Sequence, residues 1–189
     1  MQANAPGRDA RLLRLLGALS ALCYAVHAIV LARTGHPAHL LWTCHLASLA
    51  IGAGLLADSA TANAAGFLWL CVGTPLWIVG MVAGGEFLPT SVLTHGVAPV
   101  AGAVGLARLG LPRRVWWKAL AGVVLLHLVC RVATPPVENV NLSSRPWEGF
   151  ETTFPSHTVF LLAVLAVCGV VFFAAERLLA RICPAAQVR

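Results

Sequence analysis

The chain has 189 residues, of which 59% are hydrophobic and 11% charged, and its formal net charge is +6. A soluble domain carries about 25% charged residues because its surface must be hydrated, so this composition excludes an ordinary soluble protein. The basic residues lie at the ends of apolar segments, where lipid headgroups are their natural partners, and not on a stripe with interleaved aromatic residues, which argues against nucleic-acid binding.

Apolar segments of about twenty residues, the length that crosses a hydrocarbon core of about 30 Å, predict six membrane-spanning helices. In chain order they cover about residues 12–31, 39–56, 62–83, 90–109, 115–133 and 157–179. Gly84 and Gly85 close the third span, and the one long loop, residues 134–156, is rich in Pro, Asn, Glu and Trp. The predicted fold class is therefore all-α, a polytopic membrane protein with a single transmembrane domain over residues 1–189.

Arginine and lysine are distributed unevenly between the two ends of the predicted spans. Only Arg33, Arg131 and Arg145 belong to one side. The other ten belong to the N-terminus, the connection between spans four and five, and the C-terminus: Arg8, Arg11, Arg14, Arg108, Arg113, Arg114, Lys118, Arg177, Arg181 and Arg189. Because cytoplasmic segments carry the excess of basic residues, both termini are predicted to be cytoplasmic, in the inner (plasma) membrane of the cell.

Five of the seven histidines are predicted to lie at one depth near the outer surface, although each belongs to a different span: His27, His45, His95, His127 and His157. Cys44 and Thr94 share this depth, about 6–8 Å below the outer surface at 1.5 Å per residue, and Glu86 lies at its outer mouth. Ionisable groups in a membrane are costly and usually face a cavity or a partner. The sequence therefore predicts a polar cavity that opens toward the outer leaflet.

Cys44 is the only cysteine at this depth that is flanked by polar residues, Thr43 and His45. A thiol becomes a nucleophile when a neighbouring base takes its proton. His45 points about 100° away around the helix, so His95 on another span is the better base, with Ser91 one turn before it as an orienting group. Such a pair at the depth of lipid ester carbonyls predicts acyl transfer or ester hydrolysis through a thioester, with no cofactor and no metal.

Short motifs, in the same order along the chain, resemble a known family. They are Leu40-Leu41-Trp42-Thr43-Cys44-His45-Leu46-Ala47, Gly73-Thr74-Pro75-Leu76, His95-Gly96, Asn139-Val140-Asn141-Leu142 and Arg145-Pro146. This pattern is similar to that of the six-span family that includes the animal transmembrane protein 164 acyltransferase and bacterial integral membrane proteins of unknown role. The androgen-induced-protein lipid hydrolases are more distantly similar. The resemblance covers the chain from about His39 to the sixth span.

This resemblance implies a Cys nucleophile paired with a His base, which together move fatty acyl groups between phospholipids. Cys44 and His95 would take these roles, and membrane lipids would be the substrates. The family tends to have Pro and His shortly before the Cys and Asn or Asp after it, where this chain has Leu40, Trp42 and His45. Transfer, hydrolysis and the absence of catalysis all remain open at this point.

A lipid phosphatase is one alternative. Arg145-Pro146 and Phe154-Pro155-Ser156-His157-Thr158 resemble motifs of the phosphatidic-acid phosphatases, in which Arg and His stabilise and protonate the transferring phosphate. However, the glycine between Ser156 and His157 is missing, Glu138 stands where a lysine belongs, and no later histidine is left as the nucleophile.

A non-catalytic, metal-binding or haem-binding protein is a second alternative. The five clustered histidines, with Glu86 and Glu151, offer ligands that suit zinc, copper or haem iron. No single span carries two histidines at ligand spacing, so these ligands would have to converge from several spans. A structural or transport protein with a polar vestibule is a third, although no acidic or basic residue lies near the middle of a span and no inverted repeat is visible.

Overall fold

The computed structural model of the chain describes residues 6–85 and 87–182, with side chains from Asp9 onward. Glu86 and Arg189, which the sequence placed at the cavity mouth and at the cytoplasmic end, lie outside the described residues. The regular structure of the described residues is helical throughout, so the all-α prediction is confirmed. This part of the chain forms six α-helices: α1 (Pro6–Arg33), α2 (Thr43–Leu56), α3 (Ala60–Val82), α4 (Pro89–Leu109), α5 (Val115–Ala133) and α6 (His157–Ile182).

Five of these helices, all except α2, are long and apolar enough to cross a membrane. Their predicted limits agree with the observed ones to within a few residues, apart from the start of α1, which the structure extends back to Pro6. Large apolar side chains are exposed around the outside of the bundle, including Leu15, Val82 and Val132, while Ser20, Asn63 and His27 are fully buried. This inverted distribution of polarity is typical of a protein whose surroundings are hydrocarbon.

The second predicted span, residues 39–56, differs from what is observed. Residues Pro37–Leu41 form a 3₁₀ helix, Trp42 adopts an extended backbone conformation with φ −57° and ψ 132°, and α2 begins only at Thr43. The 14 residues of α2 rise about 21 Å at 1.5 Å per residue, which is less than a hydrocarbon core of about 30 Å. A hydropathy run cannot reveal this break, because Leu40, Leu41 and Trp42 are as apolar as the helix that follows.

Helix ends follow local signals in the sequence. Pro89 occupies the first turn of α4, where its missing N–H is not needed. Ser59 caps α3 by accepting a hydrogen bond from the amide of Ala62 at 3.4 Å. Gly110 ends α4 with φ +91°, a conformation that glycine adopts without strain. The start of α5 is capped from another helix, because the Glu176 carboxylate of α6 accepts hydrogen bonds from the first amides of α5.

The bundle contains two apolar cores that share α3. One core lies between α1, α2, α3 and α4 and is formed by Leu13, Ala47, Ile51, Leu55, Leu70, Ala98 and Ala101. The other lies among α3, α5 and α6, with one residue of α4, and is formed by Ala64, Leu68, Leu106, Leu111, Val115, Ala119, Cys168 and Phe172. Helices α5 and α6 pack on each other and on α3. The helices that carry Cys44 and His95 therefore belong to the first core, and those that carry His127 and His157 belong to the second.

One ion pair and one set of hydrogen bonds show which helix ends lie on the same side of the bundle. Asp9 near the start of α1 pairs with Arg108 near the end of α4 at 2.6 Å. Glu176 near the end of α6 contacts the start of α5, as described above. Most of the basic residues lie at the start of α1, in the connection between α4 and α5, and at the end of α6. The two contacts bring the start of α1 next to the end of α4, and the end of α6 next to the start of α5.

Candidate functional site

The five histidines that the sequence grouped at one depth form two separate groups. His27 of α1, His45 of α2 and His95 of α4 are buried neighbours, with ring centroids 4.4 Å apart for His27 and His45 and 5.7 Å for His45 and His95. His127 of α5 and His157 of α6 are neighbours of each other instead, with ring centroids 6.3 Å apart. The expectation of one shared pocket for all five is therefore corrected, because helix depth can be read from a sequence but the direction in which each helix faces cannot.

A chain of hydrogen bonds fixes the protonation of two of the buried rings. His45 Nδ1 lies 2.9 Å from the carbonyl oxygen of His39, which can only accept, so this nitrogen carries the hydrogen. In the neutral ring, His45 Nε2 is then an acceptor, and His27 Nε2 donates to it at 3.2 Å. His27 Nδ1 in turn accepts from the Thr90 hydroxyl at 2.8 Å. The relay Thr90–His27–His45–His39 leaves no free nitrogen on either ring.

His95 is held differently, and one of its ring nitrogens remains available. Nδ1 donates to the carbonyl oxygen of Ser91 at 2.8 Å, with the hydroxyls of Ser91 and Thr94 farther away at 3.4 Å and 3.3 Å. Trp77 of α3 stacks flat on the ring, with centroids 4.4 Å apart and an interplanar angle of 8°. Nε2 is buried and has no hydrogen-bond partner among the described residues, so the neutral ring presents an unused lone pair. Ser91 thus orients His95 through its main chain more than through its hydroxyl.

Cys44 lies in the first turn of α2, beside this available base. Its Sγ and one ring nitrogen of each of His45 and His95 lie within 4.8 Å of one another. Cys44 is half-buried and hydrogen bonds neither ring in the part of the chain that the structure describes. We call Cys44, His45 and His95 the inner triad. It brings together the thiol and the imidazole that the sequence selected as nucleophile and base.

Gly73 of α3 permits the close approach that frames the thiol. A Cβ atom added at Gly73 would lie 2.7 Å from the Cβ of Cys44, closer than real Cβ atoms come to one another. The glycine therefore lets the backbone of α3 pack directly on the first turn of α2. The next residue, Thr74, has a buried hydroxyl that finds no hydrogen-bond partner in the described part of the chain.

Asn141, in the loop between α5 and α6, anchors the start of α2. Its Oδ1 accepts hydrogen bonds from the amide and the hydroxyl of Thr43, both at 2.9 Å. Its Nδ2 donates to the carbonyl oxygen of Leu41 at 2.6 Å and lies 3.2 Å from the sulfur of Cys130. The loop thus serves as the N-cap that α2 lacks in its own sequence, one residue before Cys44.

Sequence reasoning did not assign Asn141, Trp77 or Thr90 to the site. Asn141 appeared only as part of a motif, and Trp77 was interpreted as an interfacial residue. No sequence spacing indicates that Trp77 stacks on a histidine. An Asn-Val-Asn sequence in a loop next to membrane helices, by contrast, can indicate a residue that caps a helix. Asparagine tolerates left-handed backbone, which Asn139 and Asn141 both adopt, and its amide can cap a foreign helix.

The residues of the alternative interpretations lie elsewhere. His157 Nε2 donates to the carbonyl oxygen of Leu142 at 2.9 Å, and Arg145 is exposed, with its guanidinium 3.4 Å from the carbonyl oxygen of Val137. Glu151 accepts a hydrogen bond from the amide of Gly149 within its own loop. These three side chains take part in the structure of the long loop, and Arg145 and His157 donate to different carbonyl groups of that loop.

Comparison of the chain with known proteins finds no matching family model, no matching curated protein and no matching solved structure. The geometry of the inner triad is therefore the main indication of what the protein does.

Proposed function

We propose that this protein is a membrane-embedded enzyme that transfers or hydrolyses lipid acyl groups, with Cys44 as the nucleophile and His95 as its base. The observation that carries this proposal is the convergence of the Cys44 thiol and the His95 ring from two helices to within 4.8 Å. The lone pair on His95 Nε2 is buried and unused. Hydrogen bonds between catalytic groups are often long without substrate and shorten when it binds, so this separation suits a resting dyad.

The division of roles between the two histidines of the inner triad follows from their hydrogen bonds. His45 uses one nitrogen on a carbonyl oxygen and the other on His27, so it has no lone pair to spare for the thiol. His95 uses only Nδ1, on the Ser91 carbonyl oxygen, which fixes the tautomer and orientation of the ring. This is the arrangement of nucleophile, base and orienting group that activates a thiol.

The proposed reaction has two steps, acylation of Cys44 and transfer of the acyl group to an acceptor. The Cys44 proton moves to His95 Nε2, and the thiolate attacks the carbonyl carbon of a lipid ester, forming the S–C bond. The C–O bond to the glycerol backbone then breaks, and the leaving lysolipid oxygen takes the proton from His95. In the second step an acceptor hydroxyl, either of another lysolipid or of water, gives its proton to His95 and attacks the thioester, and Cys44 leaves as a thiolate that takes the proton back.

Membrane lipids are the proposed substrates because the site belongs to helices surrounded by exposed apolar side chains. In the proposed topology α2 counts as a sixth membrane-embedded segment, both termini are cytoplasmic, and the inner triad faces the outer leaflet of the plasma membrane. The motif order that resembles the transmembrane protein 164 family is a further support, since it assigns the same two residues.

Labelling with a lipid-like, thiol-reactive probe tests the proposal. We expect covalent labelling of the purified protein at Cys44, lost in Cys44→Ala and slowed by about 100-fold or more in His95→Ala, since general base catalysis contributes about that factor. Cys71→Ala is the matched control, because Cys71 is also a half-buried membrane cysteine but only hydrogen bonds the carbonyl oxygen of Phe67 in its own helix. Unchanged labelling in both Cys44→Ala and His95→Ala would remove the proposal.

A transition-metal centre is the second candidate function, favoured by the same convergence of one thiol and two imidazoles. A thiolate and imidazoles together suit zinc or copper. Binding through His45 Nε2 would first break its hydrogen bond with His27, which is why we rank this function second. Stoichiometric metal in the purified protein, lost in both Cys44→Ala and His95→Ala, would favour it over the acyl enzyme.

A further inference from the structure

A second cluster of ligating side chains lies outside the inner triad. His36 and His39, in the connection between α1 and α2, meet Glu138, in the connection between α5 and α6. One ligand atom from each of the three lies within 4.8 Å of the other two. We call these residues the loop triad. In the sequence, Glu138 stood out only as a departure from the phosphatase motif, and no role was assigned to His36 or His39.

The side chains of the loop triad contact one another and are partly shielded from solvent. The rings of His36 and His39 stack, with centroids 5.0 Å apart and an interplanar angle of 17°. His39 Nε2 lies 3.5 Å from Glu138 Oε2, and the Glu138 side chain is only 18% exposed. That oxygen is shielded from solvent, yet within residues 9–85 and 87–182 it accepts no hydrogen bond. Its contact with His39 therefore has the distance of an ion pair without the geometry of a hydrogen bond.

These dimensions fit a divalent transition metal. Around tetrahedral Zn²⁺, bonds of about 2.0–2.2 Å to nitrogen and oxygen place neighbouring ligand atoms about 3.4 Å apart. The distance between His39 Nε2 and Glu138 Oε2 is already 3.5 Å. The other distances between ligand atoms of the three residues are at most 4.8 Å. Rotation of the side chains in the two connections can shorten them by the little more than 1 Å that is needed. Two imidazoles and one carboxylate are a common zinc ligand set that leaves one position for water.

We propose that His36, His39 and Glu138 form a Zn²⁺ site that clamps the connection between α1 and α2 to the connection between α5 and α6. The clamp joins the two segments that set the start of α2. The His39 carbonyl oxygen accepts from His45, and Asn141, three residues after Glu138, holds Thr43 and Leu41. The proposal is independent of the acyl-enzyme function, since none of its three ligands belongs to the inner triad.

Metal titration of the purified full-length chain in detergent tests this proposal. After removal of metal with a chelator, we expect one Zn²⁺ to bind per chain, with an affinity weakened by at least about 100-fold in His36→Ala and in the near-isosteric Glu138→Gln. Cys44→Ser combined with His95→Ala is the matched control, because it alters the inner triad and leaves the loop triad intact. Zn²⁺ binding that persists in both loop variants but disappears in this control overturns the proposal, as does the absence of stoichiometric binding.

Cobalt spectroscopy of the wild-type protein gives an answer that does not depend on the folding of any variant. Co²⁺ bound by the loop triad has only nitrogen and oxygen ligands and lacks a sulfur-to-cobalt charge-transfer band in the near ultraviolet. Co²⁺ bound by the inner triad has a thiolate ligand and shows that band. Visible d–d absorption of tetrahedral cobalt without the sulfur band supports the proposal, and the presence of the sulfur band at one equivalent of Co²⁺ contradicts it.

Discussion

Removing the Asn141 side chain should loosen the start of α2 and with it the inner triad. Asn141 makes three hydrogen bonds to oxygen or nitrogen partners on Thr43 and Leu41, and one longer contact to the sulfur of Cys130. A neutral hydrogen bond contributes about 0.5–1.5 kcal/mol net, so the three bonds together contribute about 1.5–4.5 kcal/mol. We therefore expect Asn141→Gly to lower the free energy of unfolding by about 3 kcal/mol.

Glycine is the informative substitution because Asn141 has a left-handed backbone, with φ 52° and ψ 29°. Glycine adopts this conformation without strain, and Asn139→Gly makes the same backbone change at another left-handed position. The difference between the two glycine variants therefore reports the loss of the Asn141 hydrogen bonds. Asn141→Ala adds the steric penalty of a Cβ in the left-handed region, about 1–2 kcal/mol, and should be less stable than Asn141→Gly by that amount.

Asn139→Gly is the matched control for this prediction. Asn139 also has a left-handed backbone, and its side chain makes three hydrogen bonds, but all of them stay within its own loop, to Ser144 and Arg145. Water can replace these bonds, so we expect a loss below about 1 kcal/mol. The measurement is reversible unfolding of the detergent-solubilised protein in sodium dodecyl sulfate, followed by tryptophan fluorescence. The reasoning is refuted if Asn141→Gly lies within about 0.5 kcal/mol of the wild type, or if the two glycine variants are equally destabilised.

Two further substitutions test the packing around the site. Gly73→Ala should lower the free energy of unfolding by about 1–3 kcal/mol through overpacking against Cys44. Gly80→Ala in the same helix, with open space around the added Cβ, should be neutral or stabilising. The same unfolding assay compares the two variants, and equal effects would contradict the close approach of α3 to Cys44. Thr90→Val should lower the free energy of unfolding by about 1 kcal/mol because His27 loses the hydroxyl donor to its Nδ1. Thr90→Ser keeps a hydroxyl and should retain most of the wild-type stability. An equal loss of stability in both variants would argue against the hydrogen-bonded relay.

Much of the fold was predictable because membrane helices are specified by continuous runs of apolar residues. Glycine and proline mark where α4 begins and ends, and the limits of α3 to α6 follow from hydropathy to within a few residues. The start of α2 was not predictable, since the break at Trp42 lies inside an apolar run and is stabilised by Asn141, a residue 98 positions after Thr43 in the chain. The number of membrane-crossing segments and the cytoplasmic position of the termini stay predictions.

The candidate site was predictable only in part. Counting residues from the helix ends placed Cys44 and His95 at a similar depth, and the structure brings them together. The same counting placed His127 at that depth, but α5 belongs to the other core, and its histidine meets His157 instead. Both His45 and His95 carry the ring hydrogen on Nδ1, which donates to the carbonyl oxygen of His39 and of Ser91 respectively. The two rings differ because His27 donates to Nε2 of His45 and leaves Nε2 of His95 available, and this contact requires three-dimensional structure.

Peptide mass spectrometry of the protein after incubation with phospholipid shows whether Cys44 forms an acyl thioester. We expect a fatty acyl mass on the peptide that contains Cys44, removed by neutral hydroxylamine as a thioester is, and absent from Cys44→Ala. An acyl group on a different cysteine, or Cys44 unmodified while the protein still turns over lipid, would contradict the account.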